Sequence, residues 1–331
     1  MPALLRRLGA AAALLWLVVT LTFLLVRAAP GDPAALLLPP TAQAADEARL
    51  RATLGLDRPL AVQYGRWLGA TLRGDLGTSF AQQRPVAAIL GEALPPTLAL
   101  GGASLALSYL LGVAIGTAQA VLRARGDRRG RRADAAITVA TTAAYAAPSF
   151  WVALGAIALF TAGAARWDFP AALRLPAFGL ADPAGQLTGW AALGDRVRHA
   201  VLPVSVLALV GAAGVARYAR SAVADALDGD FVRTARAKGL GPRAVFGRHA
   251  LAVALPPLVV LLALSLPGVV AGSVFVESVF AWPGMGRAMV QAIAARDYPV
   301  VLGATVLYAA LTIGANLAAD LALPRLDPRR R

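Results

Sequence analysis

Six apolar stretches, each long enough to cross a lipid bilayer as a helix, constrain this chain more than any other feature of its sequence. The hydrocarbon core of a bilayer is about 30 Å thick and is spanned by about 20 helical residues. Runs of that order lie at roughly Leu8–Val26, Thr97–Leu122, Ala135–Gly163, Ala200–Ala216, Ala250–Val276 and Val300–Leu323. The fold class read from them is all-α integral membrane, with six transmembrane helices. The composition agrees, being 58% hydrophobic and 15% charged, where soluble domains are about 45–50% and about 25%. Several spans are rich in Gly, Ala, Ser and Thr. Small residues let membrane helices approach closely, so the spans are expected to pack as a bundle.

Charge fixes the expected orientation. With both termini inside, nineteen of the 32 basic residues fall on the inner side with seven of the 18 acidic ones. The outer segments are longer yet carry thirteen basic and eleven acidic residues. This is the positive-inside pattern. It accounts for the net charge of +14 without nucleic acid, and it leaves the Arg clusters to meet anionic lipid heads. The first span is longer than the apolar region of a signal peptide, so it reads as a retained helix, although Ala28-Ala29 imitates a cleavage site. There is no Cys, which excludes disulfides and thiol chemistry. His199 and His249 lie too far apart in sequence for ligand-like spacing, so no metal is expected.

The outer segments have their own character. Residues 27–96 open on the turn signature Pro30-Gly-Asp-Pro33. They continue through Leu54–Tyr64 and Gly74-Asp-Leu-Gly-Thr-Ser-Phe80, with short helical pieces between breaks. A second segment, 164–199, is rich in Pro and Gly, and a third, 277–299, holds Phe280-Ala-Trp-Pro-Gly-Met-Gly286. These segments read either as a cap that receives a partner or as structured connectors. The domain division expected is 1–96, a transmembrane helix with an external subdomain, and 97–331, a five-helix core.

Between spans four and five lies a basic segment, 228–249. Asp228 or Asp230 is placed to cap a helix N-terminus, Phe231–Lys238 is good helix material, and Gly239 sits where a glycine ends a helix. Gly241-Pro242 is placed to start a second short helix. Ala235 and Ala237 leave little bulk on the first helix, which suits close approach by another protein. The pattern fits a docking surface, an amphipathic helix lying on lipid or an ordinary loop.

The segment Phe231-Val-Arg-Thr-Ala-Arg-Ala-Lys-Gly-Leu240 resembles the cytoplasmic "EAA" loop of ABC importer permeases, in the form found in dipeptide, oligopeptide and nickel permeases. Arg233 and Thr234 stand where the general motif has its first Glu and second position. Ala235 and Gly239 match it, and the downstream Pro is displaced to Pro256. Residues 30–33, 54–80, Pro95-Pro-Thr-Leu98, Pro148-Ser-Phe-Trp151 and Val276–Gly286 are similar to further motifs of that family. So are Arg296-Asp-Tyr-Pro299 and Leu326-Asp-Pro-Arg-Arg330.

The resemblance implies a type I importer permease fold and a bacterial inner-membrane location. It implies half of a transmembrane pathway for peptides or a related small solute such as nickel. The implied partners are a homologous second permease subunit, two cytoplasmic ATPase subunits and an external solute-binding protein, in addition to membrane lipids. Arg233, Thr234, Ala235, Ala237, Lys238 and Gly239 would form the ATPase-coupling loop. A P-loop requires Gly-x-x-x-x-Gly-Lys-Ser/Thr, whereas the single Lys, Lys238, precedes Gly239. No catalytic residue, cofactor or metal is therefore expected on this chain, and ATP-Mg belongs to the partner ATPases.

Pro148, inside the third span, is expected to bend it and is a candidate for gating or the pathway, together with Glu277. Glu277 and Asp320 lie near span ends, where hydration or pairing is expected. Pro256, Pro257 and Pro267 raise the same question of bending in span five. An ion-gradient-driven secondary transporter is the alternative class. That class favours buried acids and broken helices in repeated halves.

Overall fold

The computed structural model describes residues 2–28, 38, 43–53, 55–183, 185, 187–241, 244–271 and 274–326. The turn at Pro30–Pro33, the restart at Pro242 and the tail beyond Leu326 lie outside the described residues. So does Leu54.

The described chain is a succession of helices: α1 (Pro2–Ala28), α2 (Ala44–Thr53), α3 (Leu60–Thr71), α4 (Val86–Ala124), α5 (Arg128–Ala146), α6 (Ser149–Ile157), α7 (Gly189–Leu227), α8 (Asp230–Ala237), α9 (Leu251–Ala271), α10 (Val274–Val279), α11 (Met285–Ala294) and α12 (Tyr298–Leu326). Among the described residues, six stretches are long and apolar enough to cross a membrane: Leu5–Ala28, Val86–Ala124, Ser149–Arg166, Gly189–Leu227, Val245–Val269 and Tyr298–Leu321. The all-α, six-span reading holds, with two changes at the level of single helices.

The first change is in span three. The expected run Ala135–Gly163 is not one bent helix. It breaks at Ala147 and Pro148, which are both extended, with ψ 129° and 128°. A proline ring disfavours helical geometry at the residue before it, so α5 ends at Ala146 and Pro148 becomes the N-cap of α6. A π turn, Ala158–Ala162, then carries α6 on to Arg166. The second change concerns Glu277. Expected to be hydrated or paired near a span end, its side chain is fully buried in α10, next to the buried Val276. Asp320 is exposed. In span five, α9 remains continuous through Pro256, Pro257 and Pro267.

The chain forms two compact units. The first contains Met1–Thr97 and Pro283–Leu317. Its core is Val86, Ile89 and Leu90 against Ala292, Val300 and Ala304. Gly303 is required there, since a Cβ would sit 2.7 Å from Val86 Cγ1. Phe23 of α1 is fully buried against Trp67 and Tyr64 of α3, and the Thr20 and Tyr64 hydroxyls are hydrogen-bonded at 2.6 Å. The buried Asp297 carboxylate accepts from Ser79 Oγ, from Phe80 N at 3.0 Å and from Ala81 N at 3.1 Å. Thr97 Oγ1, also buried, accepts from Met285 N at 2.8 Å.

The second unit contains Leu98–Trp282 and Ala318–Arg331. Here α4 and α7 cross on small residues. A Cβ on Gly112 would lie 2.8 Å from Ala212 O, one on Gly116 would lie 2.3 Å from Ala216 O, and one on Gly211 would lie 2.4 Å from Ser108 Oγ. Ser108, Gly112 and Gly116 recur every fourth residue and so share one face of α4. This is the backbone-to-backbone approach that small residues permit in membranes.

Candidate coupling site

The site begins where α7 ends. Asp228 is the C-cap of α7, and its N–H still bonds Ala224 O at 3.1 Å. Gly229 turns extended, φ −66° and ψ 146°, and is the N-cap of α8. Neither Asp228 nor Asp230 caps α8 by a side chain, contrary to expectation, because the cap position falls on the glycine between them. The Phe231 ring folds back over Gly229, where a Cβ would lie 2.5 Å from Phe231 Cε1. Asp230 occupies the first turn, where a carboxylate complements the helix dipole. Its 3.1 Å pair with Arg233 is exposed on both sides and adds little.

α8 has an inner and an outer face. Val232 and Ala235 are buried and pack with Val245. Ala235 therefore serves the loop's own small core rather than lying open for a partner, because positions three apart share a helix face. Arg233, Thr234, Arg236, Ala237, Lys238 and Gly239 are exposed. The Thr234 hydroxyl donates to Asp230 O at 3.0 Å.

The end of α8 is a complete Schellman turn. Lys238 is the C-cap, Gly239 follows with φ +78°, Gly239 N bonds Arg236 O at 2.9 Å and Leu240 N bonds Ala235 O at 3.2 Å. This is the 5→2 and 6→1 pairing that needs a left-handed residue just past the helix. A Cβ on Gly239 would meet nothing within 4 Å, so the backbone conformation, and not space, selects glycine there. Beyond the turn, the expected second short helix is not a separate element: a π turn, Val245–Ala250, runs without a break into α9.

A polar clasp holds α7 near the same end. Arg220 of α7 grips Asp134 of α5 with two bonds, 2.8 and 2.6 Å. Gln119 of α4 donates to Asp134 Oδ1 at 3.4 Å and to Thr138 Oγ1 at 3.0 Å. The Arg220 guanidinium holds the Asp134 carboxyl below the usual carboxylate range, with burial opposing it. Arg217, one turn earlier on α7, lies 4.1 Å over the Tyr145 ring. Sequence reasoning counted Asp134, Arg217 and Arg220 only as charges of the inner loops. The available signal was a carboxylate and an arginine that both border apolar spans, where unpaired charge is costly.

The other two singled-out residues lie elsewhere. Pro148 is at the break between α5 and α6 and Glu277 is buried in α10, and neither is part of the coupling segment. Among the described residues, no group of three His, Cys, Asp or Glu side chains is placed to hold a metal ion.

Residues 108–331 match the family described as binding-protein-dependent transport system inner membrane component, and residues 1–101 match the N-terminal part described for such membrane components. The chain belongs to this family. The permease is 37% identical over 312 residues to a provisionally named peptide permease protein of Brucella ovis, covering 93% of this chain and 92% of the relative. It is 36% identical over 310 residues to the oligopeptide transport system permease protein AppB of Bacillus subtilis, with the same coverages of 93% and 92%. It is 38% identical over 279 residues to the oligopeptide transport system permease protein OppB of Mycobacterium bovis, covering 84% and 82%. Membership of a binding-protein-dependent permease family disfavours the ion-gradient alternative.

Proposed function

We propose that this permease subunit forms half of the pathway of an ATP-driven peptide importer, and that α8 with Gly239 is the element through which a separate ATPase moves it. The observation that carries this reading is the Schellman turn and its exposed neighbours. α8 lies in the chain between spans four and five, with Arg233, Thr234, Ala237, Lys238 and Gly239 exposed and Ala235 in its small core. A displacement of this helix would be passed to the spans that flank it. The peptide class rests on the names of the relatives.

The partners are a homologous second permease, two ATPase subunits on the inner side and an external binding protein. Both termini lie inside, in the inner membrane. This chain performs no catalysis and binds no cofactor of its own, ATP-Mg being held by the ATPases. By role, 1–96 is the first span with the external subdomain and 97–331 the transport core. By packing, 283–317 belongs with the former. Pro148, at a break in a span, and Glu277, a buried acid, are the proposed gating or pathway residues. Closure of the ATPases shifts the bundle between inward-open and outward-open states only through differential affinity for the two.

The test is copurification followed by transport. The chain should bring down ATPase subunits and a second permease, and Gly239→Val should uncouple ATP hydrolysis from uptake. Normal uptake by that variant in a normally assembled complex would sink the assignment.

A further inference from the structure

Where the first span ends, the first compact unit holds a cavity of about 360 Å³, lined in part by Arg27, Trp67, Asp75, Phe80, Tyr298 and Leu302. Arg27 stands one residue before the end of the apolar stretch Leu5–Ala28, and Tyr298 opens the stretch Tyr298–Leu321. Each stretch has 24 residues, about one turn more than the roughly 20 that a bilayer core requires. The two ends that meet at the cavity therefore lie at the bilayer surface, the level that Trp and Tyr favour. Its walls are held by contacts within the unit. Trp67 stacks on Phe23 of α1 at 5.1 Å, Phe80 N donates to the Asp297 carboxylate at 3.0 Å, and Gly77 N donates to Asp75 Oδ1 at 2.9 Å.

Among the described residues, Arg27 is the one cation that lines the cavity and Asp75 the one acid, and neither forms an ion pair. The Arg27 side chain is half-buried, its Nε is buried without a hydrogen-bond partner, and its Cζ lies 5.4 Å from the centre of the Phe23 ring. A charge drawn into the edge of the hydrocarbon without a counter-ion is costly, so the arrangement calls for an anion. We infer that the cavity seats the headgroup of a zwitterionic phospholipid, with its phosphate on Arg27, its ammonium toward Asp75 and its acyl chains running down α1. Charge complementarity selects this occupant. A guanidinium suits a phosphate, which it can contact through paired N–H groups, and a lipid without an ammonium brings no cation to Asp75. Leu24 lies three residues before Arg27 and so shares its side of the helix. Leu24, Leu21 and Leu17 are all exposed, and this stripe leads from the guanidinium into hydrocarbon. A bound lipid joins the end of α1 to the start of α12, so it braces the first span against the sixth. The site follows from the span ends and stands whichever side of the membrane they face, with or without the coupling role of α8.

The full-length chain, with the partners that copurify, is reconstituted in nanodiscs of equal parts phosphatidylethanolamine and phosphatidylglycerol, and its retained lipids are counted by native mass spectrometry. Phosphatidylethanolamine is expected to be retained over phosphatidylglycerol. Arg27→Gln should lower its retention about ten-fold, the size of a lost charge-assisted hydrogen bond. Asp75 is exposed, and Asp75→Asn keeps an acceptor for Gly77 N. That variant should lower the ratio of phosphatidylethanolamine to phosphatidylglycerol about three-fold. Equal retention by wild type and Arg27→Gln overturns the proposal. An unchanged ratio in Asp75→Asn overturns it too, and that variant decides the matter if Arg27→Gln does not assemble. Displacement by soluble glycerophosphoethanolamine or by dialanine as effective as by the intact lipid also overturns it. In the first case the acyl chains play no part, and in the second the cavity takes a free peptide.

Discussion

The Asp297 knot and the α8 loop hold their shapes in opposite ways. Asp297 reaches back to Ser79, Phe80 and Ala81, more than two hundred residues earlier, and is buried with Ser79 in doing so. The α8 loop is supported from within about fifteen residues: Val232 and Ala235 on Val245, and a turn closed by Gly239. Residues 79–81 are held by polar contacts to a residue distant in the chain. The α8 segment has a small local core and an exposed face. The second construction suits the coupling role proposed for α8, which requires a part that is grasped and moved, and the first suits a part that stays fixed.

The largest effect is expected at the knot. Asp297→Ala leaves three donors unsatisfied, two of them backbone N–H groups, and should destabilise the protein by about 3 kcal/mol or more. Thermal unfolding of the purified protein checks it, and a loss below about 1 kcal/mol would break the contrast. Next comes the clasp. Asp134→Asn should cost about 2 kcal/mol, because Arg220 loses a bidentate, partly buried partner. The exchange Asp134→Arg with Arg220→Asp should recover part of it.

The pH dependence of that pair has a definite sign. The Asp134 carboxyl is held below its ordinary value in the folded protein. Its contribution is therefore complete above the unfolded carboxylate value of about 3.9 and is lost as pH falls through the lower folded value. The gap in stability between wild type and Asp134→Asn should be constant from about pH 5 to 8 and close only below about pH 4.

Smaller stability effects belong to α8. Gly239→Ala places a Cβ at φ +78° and should cost about 1 kcal/mol, with Gly239→Asn milder because Asn accepts the left-handed region more readily. Least of all, Lys238→Ala and Thr234→Ala should shift unfolding by less than about 0.5 kcal/mol while reducing the ATPase recovered with the complex. Large destabilisation with unchanged ATPase recovery would place these residues in a structural role.

The gross fold was legible because membrane insertion is decided by length and apolarity, which are local quantities. The number of spans, though not the break in the third, follows from runs of about twenty residues, and the end of α8 from one glycine just past its C-cap. The cap of α8 was misassigned to an aspartate because two candidates flank a glycine and sequence does not weigh them. The break at Pro148 was anticipated as a bend, since a proline inside an apolar run is compatible with either.

The sequence by itself determined that the chain spans a membrane, how many times, and where α8 stops, because each depends on properties of contiguous residues. Only the tertiary structure decided that Asp297 closes on Ser79, that Asp134 is clasped by Arg220 and Gln119, that Glu277 is buried and that Ala235 turns inward. Those outcomes depend on which distant surfaces meet. A buried charge or small residue has the same local sequence signature whichever partner it finds.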